Sequence, residues 1–177
     1  MSLSVKFAAP ATLSAVPLVY GLRVAERLTA EVALLSHNEI ADALREGRAD
    51  VALLASDVAR TIEGVKIVTD FCVAPADKGG SLSLADEWGV APDAPVYGVL
   101  VARENTPLEV LDEIEKALTN GVERIYEALL SQAECPKIED YNYLTTTVDY
   151  LFDLKKHTAL EAHWKKLKKA ASHANPG

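Results

Sequence analysis

The first 55 residues alternate between short apolar segments and amphipathic ones, and this alternation constrains the fold more than any other feature. Three mostly apolar segments, Val5 to Ala9, Glu31 to Ser36 and Ala49 to Ala55, have the length and composition of buried strands. Between them, Leu18 to Leu28 and Asn38 to Glu46 repeat apolar residues at helical spacing. A β-α-β-α-β order with short connections predicts parallel strands joined by right-handed helical crossovers.

Local signals mark both ends of the second helix. Ser36 and Glu39 form a capping-box pattern, in which each side chain satisfies a free backbone N–H of the first turn. Gly47 stands where a helix commonly ends in a left-handed residue. We therefore expect this helix to begin after Ser36 and to end before Gly47.

Two further strands are predicted in the middle of the chain. Val65 to Val73 and Val96 to Ala102 are apolar enough to be buried. Pro75 to Pro95 lies between them and contains three prolines and a Gly-Gly-Ser sequence, which indicates a loop with at most a short helical turn. The expected fold is a single α/β domain over residues 1–177, with a mostly parallel sheet of about five strands and helices on both faces.

The C-terminal third is predicted to be helical. Thr106 and Pro107 suit the cap and first position of a helix whose apolar stripe continues to Leu129. Gly121 interrupts that stripe, at a cost of about 1 kcal/mol relative to alanine. A second long amphipathic helix is predicted to begin at a capping pattern, Thr146 to Asp149, and to carry an apolar stripe as far as Leu167.

The composition is that of one globular domain. The chain has 177 residues, of which 49% are hydrophobic and 25% charged. Its net charge of −8 argues against a nucleic-acid partner, because phosphate binding needs a basic surface. There is no apolar run of roughly 18 residues for a membrane span and no secretion signal. Cys72 and Cys135 form neither a metal motif nor a disulfide framework. We therefore expect a cytoplasmic protein with no membrane partner, no metal and no other cofactor.

Five blocks of sequence carry a family resemblance. They are Leu13–Leu22, Asn38–Gly47 with Ala49–Leu54, Phe71–Ala74 with Gly79–Ser81, Ala94–Ala102, and Tyr143–Trp164. The first block, Leu-Ser-Ala-Val-Pro-Leu-Val-Tyr-Gly-Leu, is the most specific. Together they resemble the futalosine-pathway enzymes of menaquinone biosynthesis, chorismate dehydratase and its naphthoate-synthase sister. The resemblance implies one lobe of a periplasmic-binding-protein-like fold, with the returning strand Val96 to Ala102 antiparallel to its neighbours.

Two features distinguish the chain from that family. The family has a second lobe between the Gly/Ser loop and the returning strand, where this chain has only Leu82 to Asp93. The family reads Tyr-Leu-Asn in its first loop, where this chain has Thr12-Leu13-Ser14. We expect residues 75–95 to form a loop or short lid in place of the second lobe. Trp88 is expected to anchor Leu82 to Val90 over the apolar surface, or else a second copy of the chain is expected to cover it as a homodimer.

Candidate ligand-binding residues follow the predicted strands. Open α/β sheets bind ligands outside the carboxyl ends of their strands. Hydroxyls and free N–H groups at such positions suit a small carboxylate. The candidates are Ser14, Ser56, Gly79, Gly80, Ser81 and His37. The same residues have ordinary structural uses, since serines cap turns and glycines permit bends.

Three functions remain open at this point. The first is a cytoplasmic module that binds a small carboxylate, is related to the menaquinone enzymes and is not catalytic alone. The second is a dehydratase or lyase acting on a chorismate-like acid. The third is a protein-interaction module that uses the former cleft.

Overall fold

The structure, a computed structural model, describes the backbone of residues 3–174 and the side chains of residues 3–171. The strands within this range are β1 Leu3–Ala9, β2 Leu28–Leu34, β3 Val51–Ala55, β4 Val65–Pro75, β5 Gly98–Arg103 and β6 Val148–Leu151. The α-helices are α1 Val16–Arg23, α2 His37–Glu46, α3 Ser56–Ala59, α4 Leu82–Trp88, α5 Leu108–Glu123, α6 Ile125–Leu130, α7 Ile138–Thr146 and α8 Leu154–Ala174. None of the described helices is both long enough and apolar enough to cross a membrane.

All of the strands join one sheet in the order β2-β1-β3-β5-β4-β6. The β1–β2 and β1–β3 pairs are parallel, and the β3–β5, β4–β5 and β4–β6 pairs are antiparallel. Strands β1 to β4 therefore share one direction, and β5 and β6 run in the other. The predicted α/β class and the antiparallel returning strand are confirmed. The sheet has six described strands rather than about five, and only two of its five neighbouring pairs are parallel.

The extra strand β6 corrects the predicted start of the last helix. Val148 and Leu151 fit helical spacing, but the segment is a strand in which Val148 and Tyr150 are buried while Leu151 is exposed. Pairing with β4 places alternate residues on opposite faces, and this decides the local structure. The helix α8 begins only at Leu154.

Two other helix boundaries, the end of α1 and the cap of α5, also differ from the sequence prediction. Leu28 completes a helical stripe in the sequence, but it pairs with Leu3 as the first residue of β2. Helix α1 accordingly ends at Arg23. Thr106 does not cap α5, whose cap position is Pro107. The Thr106 hydroxyl is buried and makes no hydrogen bond within the part of the chain that the structure describes.

The signals around α2 are confirmed. Ser36 and Glu39 form both hydrogen bonds of a capping box. Gly47 follows the helix in the left-handed conformation, with φ of 78°. Here the local signals and the tertiary packing agree, because the same helix buries Ile40 and Leu44.

Two apolar layers hold the sheet between helices. One face of β1 and β3 packs against α1 and α5, through residues such as Phe7, Leu18 and Ile114. The other face packs against α2 and α8, through residues such as Ile40 and Leu160. Helix α4 adds its buried side chains to the first layer.

Helices α1 and α5 approach each other through two glycines. A Cβ on Gly121 would overlap the carbonyl oxygen of Pro17 and lie 3.1 Å from the Cα of Gly21. A Cβ on Gly21 would likewise overlap the carbonyl oxygen of Ala117. Gly121 therefore costs helix propensity but allows backbone contact between the two helices.

Candidate ligand site at the carboxyl edge of the sheet

Three candidate residues follow the carboxyl ends of three adjacent strands. Ser14 follows β1, His37 follows β2, and Ser56 directly follows β3. Because β2, β1 and β3 are parallel neighbours, these residues lie at one edge of the sheet. We call this the carboxyl edge.

Ser14 lies at the centre of a hydrogen-bond network and is 0% exposed. Its backbone N–H and its hydroxyl both donate to Oε1 of Glu87, each over 2.7 Å. Its Oγ accepts from the indole N–H of Trp88 at 2.7 Å. Its carbonyl oxygen accepts from the hydroxyl of Tyr150, also at 2.7 Å. Every polar atom of Ser14 therefore has a partner inside the protein.

The Glu87 carboxylate is held by neutral donors. Besides the two donors of Ser14, the Tyr143 hydroxyl donates to Oε2 over 3.1 Å. Burial raises the pKa of the Tyr143 phenol to about 12, so this hydroxyl keeps its proton at neutral pH. Among the described residues, no Lys, Arg or His nitrogen lies within 4.0 Å of the Glu87 carboxylate. The Glu87 carboxylate is therefore held by directed hydrogen bonds rather than by an opposite charge.

The Trp88 indole fills a slot beside this carboxylate. The side chain is 0% exposed, and its ring centroid lies 5.4 Å from that of His37, tilted by 39°. Gly98 lies directly against the ring, because a Cβ there would stand 2.7 to 2.9 Å from three ring atoms. The slot is thus shaped for a flat ring.

His37 is held as a neutral ring. Its Nδ1 accepts the backbone N–H of Ala55 at 3.1 Å, which assigns the ring proton to Nε2. Burial lowers the pKa of His37. The residue also occupies the first turn of α2, where the helix dipole disfavours a positive charge. His37 therefore contributes a neutral wall to the slot.

Ser56 and Ser81 bond to Val96 and Tyr97, the two residues that lead into β5. The Ser56 hydroxyl donates to the carbonyl oxygen of Val96 at 2.7 Å, and its N–H donates to that of Tyr97 at 2.9 Å. The Ser81 N–H donates to the hydroxyl of Tyr97 at 3.1 Å, while its Oγ caps α4. A Cβ on Gly80 would overlap the carbonyl oxygen of Pro92. These contacts join the loop that leads into α4 to the residues before β5.

The predicted residues thus lie on loops at one edge of the sheet, and the donors of Ser14 and Ser56 are satisfied inside the protein. Ser14 and His37 both contact Trp88, and Ser56 and Ser81 both bond to Tyr97. Gly79 makes a hydrogen bond within its own loop, where its N–H donates to Asp77 Oδ1 at 3.0 Å. Whether these residues bind a ligand stays a prediction.

Sequence reasoning missed three members of the network. Glu87, Tyr143 and Tyr150 are separated from Ser14 by 73, 129 and 136 positions, and no motif links them. One sequence pattern does point to this helix: Leu84, Ala85 and Trp88 have the spacing of a buried helix face. Glu87 is the acidic residue next to that face.

Two cavities border the carboxyl edge. A groove of about 560 Å³ runs between the Gly/Ser loop and the start of α8, lined by residues that include Gly80, Asp93 and Lys156. A smaller cavity of about 160 Å³ lies outside the β1 loop, between Thr12 and Arg23. Within the larger groove, the Lys156 ammonium is paired with Asp149 at 2.7 Å.

Trp88 needs no second copy of the chain to cover it. Helix α4 folds back onto its own domain and buries Leu84 and Trp88 completely, while Leu82 remains 73% exposed. The apolar surface that suggested a homodimer is therefore largely covered in cis.

Comparison with known proteins finds likeness in structure rather than in sequence. A scan of protein-family models finds no match, and a search of curated proteins finds none either. The protein AF1704 from Archaeoglobus fulgidus superimposes with a TM-score of 0.71 and 10% identity, over 95% of this chain and 98% of that one. A ligand-binding component of an ABC-type import system from Staphylococcus aureus gives 0.59 and 10%, over 94% and 92%.

A third solved structure names the fold. The CA3427 gene product of Candida albicans, described as having the generic periplasmic binding protein fold, gives a TM-score of 0.58 at 12% identity. This match covers 90% of this chain and 89% of that one. At 10–12% identity, these matches show a shared fold and carry no conclusion about function. The chain has a periplasmic-binding-protein-like α/β fold, with helix α4 packed over the edge at which such sheets bind ligands.

Proposed function

We propose that this chain binds a small carboxylic acid at the position that the Glu87 carboxylate occupies in the structure. One observation carries the proposal. The N–H and hydroxyl of Ser14 and the hydroxyl of Tyr143 converge on two carboxylate oxygens, at 2.7, 2.7 and 3.1 Å. A receptor built for one carboxylate accepts another of similar shape.

The energetics of this receptor favour an ionised acid. Hydrogen bonds to a charged group contribute about 1.5–3 kcal/mol each, roughly twice the value of neutral ones. Ser14 is fully buried, so its donors would carry a desolvation cost if no acceptor replaced Glu87. A free carboxylate supplies that acceptor, whereas a neutral amide supplies a weaker one.

The fold adds support by analogy. Proteins of this architecture include the import component from Staphylococcus aureus, which is described as ligand-binding. In its finer form, our proposal is a cytoplasmic carboxylate-binding protein related to the menaquinone-biosynthesis enzymes. This relation rests on the sequence blocks that resemble that family, beginning with Leu13 to Leu22.

We propose binding rather than catalysis. A dehydratase or lyase would need a group that transfers a proton at the bound acid. His37 is the nearest candidate, but its Nδ1 accepts the Ala55 N–H and burial lowers its pKa. The Ser14 hydroxyl is engaged with Glu87 and Trp88.

The test is to remove the internal carboxylate and to supply a free one. Glu87→Ala leaves the donors of Ser14 and Tyr143 without their acceptor. Sodium acetate and cyclohexanecarboxylate should then raise the melting temperature of the variant in a saturable way. At 100 times the Kd, the gain is about 2.7 kcal/mol. Sodium chloride at equal ionic strength is the control, and it should have no such effect.

A second variant checks the position of the bound acid. Tyr143→Phe in the Glu87→Ala background removes one donor and keeps the ring. It should weaken acetate binding about 10-fold or more, because one hydrogen bond to a charged group contributes about 1.5–3 kcal/mol. The proposal is wrong if acetate stabilises Glu87→Ala no more than chloride does.

A further inference from the structure

We propose that helix α4 is an intramolecular ligand, which competes with the free acid and regulates the site by opening and closing. This inference rests on the proposed function, since it concerns the same donors. Its basis is that one short helix carries both the carboxylate and the flat ring that fill the site. Glu87 supplies the carboxylate and Trp88 the ring.

The attachment of α4 allows it to move as a unit. Strands β4 and β5 pair directly with each other, with Val73 opposite Gly98. Helix α4 lies in the segment that connects these two paired strands, so it can leave the carboxyl edge without breaking the sheet. Glycines in the left-handed conformation flank it, Gly80 at φ of 86° and Gly89 at φ of 65°. Such positions are suited to changes of backbone direction.

The closed position of α4 is held by contacts of two kinds. The helix has seven residues, which is too short for stability without packing. Glu87 accepts hydrogen bonds from Ser14 and Tyr143, and the side chains of Leu84, Ala85 and Trp88 are fully buried. A free acid replaces the Glu87 carboxylate directly. The two occupants therefore exclude each other.

Closure of α4 over the site should weaken the measured affinity for a free acid. When the binding-competent state is a small fraction of the protein, the apparent Kd is raised by the inverse of that fraction. A change that opens α4 without touching the carboxylate receptor must therefore tighten the binding of a free acid. A substitution at Gly98 is such a change, because Gly98 lies directly against the Trp88 ring.

Gly98→Ala is the central variant. The added Cβ would stand 2.7 Å from the nearest ring atom, so it should displace Trp88 while leaving Ser14, Tyr143 and Glu87 unaltered. Thr119→Ala is the control, because this side chain lies on the exposed side of α5 and bonds only to Glu115 of its own helix among the contacts described. We expect Gly98→Ala to bind acetate at least 10-fold more tightly than wild type, and Thr119→Ala to bind it equally.

Two readouts separate binding from opening. Acetate binding is followed by the amide resonance of Ser14, whose N–H donates to the carboxylate. Opening is followed by the fluorescence of Trp88 in a Trp164→Phe background, which leaves a single tryptophan. Acetate should shift Trp88 emission to the red in the wild-type background, and Gly98→Ala should show the shifted emission without acetate.

The outcomes distinguish the two proposals. If acetate moves the Ser14 resonance in none of the variants, including Glu87→Ala, the proposed function fails. If acetate binds wild type and Gly98→Ala equally and Trp88 stays buried, the site stands and the competition is refuted. Should Gly98→Ala not fold, Trp88→Phe serves instead. It removes the indole N–H bond to Ser14 and must also tighten acetate binding.

Discussion

Replacing Gly121 with alanine should destabilise the protein, although helix propensity alone predicts the opposite. In an isolated helix the change would contribute about 1 kcal/mol of stability. In the folded chain the new Cβ would overlap the carbonyl oxygen of Pro17 and lie 3.1 Å from the Cα of Gly21. Both neighbours are backbone atoms of α1, so no side chain can rotate away to relieve the overlap.

The magnitude follows from these opposing effects. Forcing extra atoms into a well-packed contact costs about 1–3 kcal/mol, and more where the backbone must shift. We take the upper end of that range, because α1 and α5 would have to move apart as rigid bodies. After the gain in helix propensity is subtracted, the expected loss is about 2 kcal/mol.

Urea unfolding followed by circular dichroism measures this loss. Thr119→Ala lies on the exposed side of the same helix and is the control, which should change stability by less than about 0.5 kcal/mol. The double variant of Gly21→Ala and Gly121→Ala should lose less than the sum of the single variants, because one separation of the helices relieves both overlaps. A Gly121→Ala protein as stable as wild type would refute the reasoning.

Three further predictions concern single residues. Thr69 has φ of 70°, in the left-handed region that Asn tolerates better than Thr, and its hydroxyl accepts the Phe71 N–H. Thr69→Asn should therefore raise the unfolding free energy by about 0.5–1 kcal/mol in urea titrations, and an unchanged midpoint would contradict this. Because burial lowers the pKa of His37 below its ordinary 6.5, its contribution to stability is present above pH 6.5 and is lost as the pH falls through the folded-state pKa. His37→Asn keeps an acceptor for the Ala55 N–H, and its melting temperature should fall less than that of wild type below pH 6.5. Cys72 is buried and Cys135 exposed, so a thiol reagent should label one cysteine in the native protein and two after denaturation; two fast native reactions would disprove this.

The features that were predicted correctly from the sequence are those that depend on residues close together in the chain. The order of the first three strands and two helices is a matter of local apolar spacing, and the ends of α2 follow from a capping box and Gly47. Val148 to Leu151 could be read as helix or strand, and only pairing with β4 decides between them. Spacing within such a short segment cannot report a partner more than 70 residues away.

The sequence placed Ser14, His37 and Ser56 at one edge of the sheet, because they follow strands whose ends must share that edge. That they bind a ligand stays a prediction. Glu87 and Tyr143 could not be found in this way, since the bonds from Ser14 and from Tyr143 to Glu87 form only when α4 and α7 have packed. A single sequence offers no local pattern for a hydrogen bond of that kind.

The position of β5 has a consequence for how the chain folds. This strand lies between β3 and β4 in the sheet, yet it follows both of them in the sequence. Until Gly98–Arg103 has been synthesised, the fully apolar strand β3 has no neighbour on one side, and β4 cannot join the sheet at all. Such unpaired edges are sites of aggregation during folding. Completion of the sheet is therefore a non-local step, and pairings of this kind slow folding.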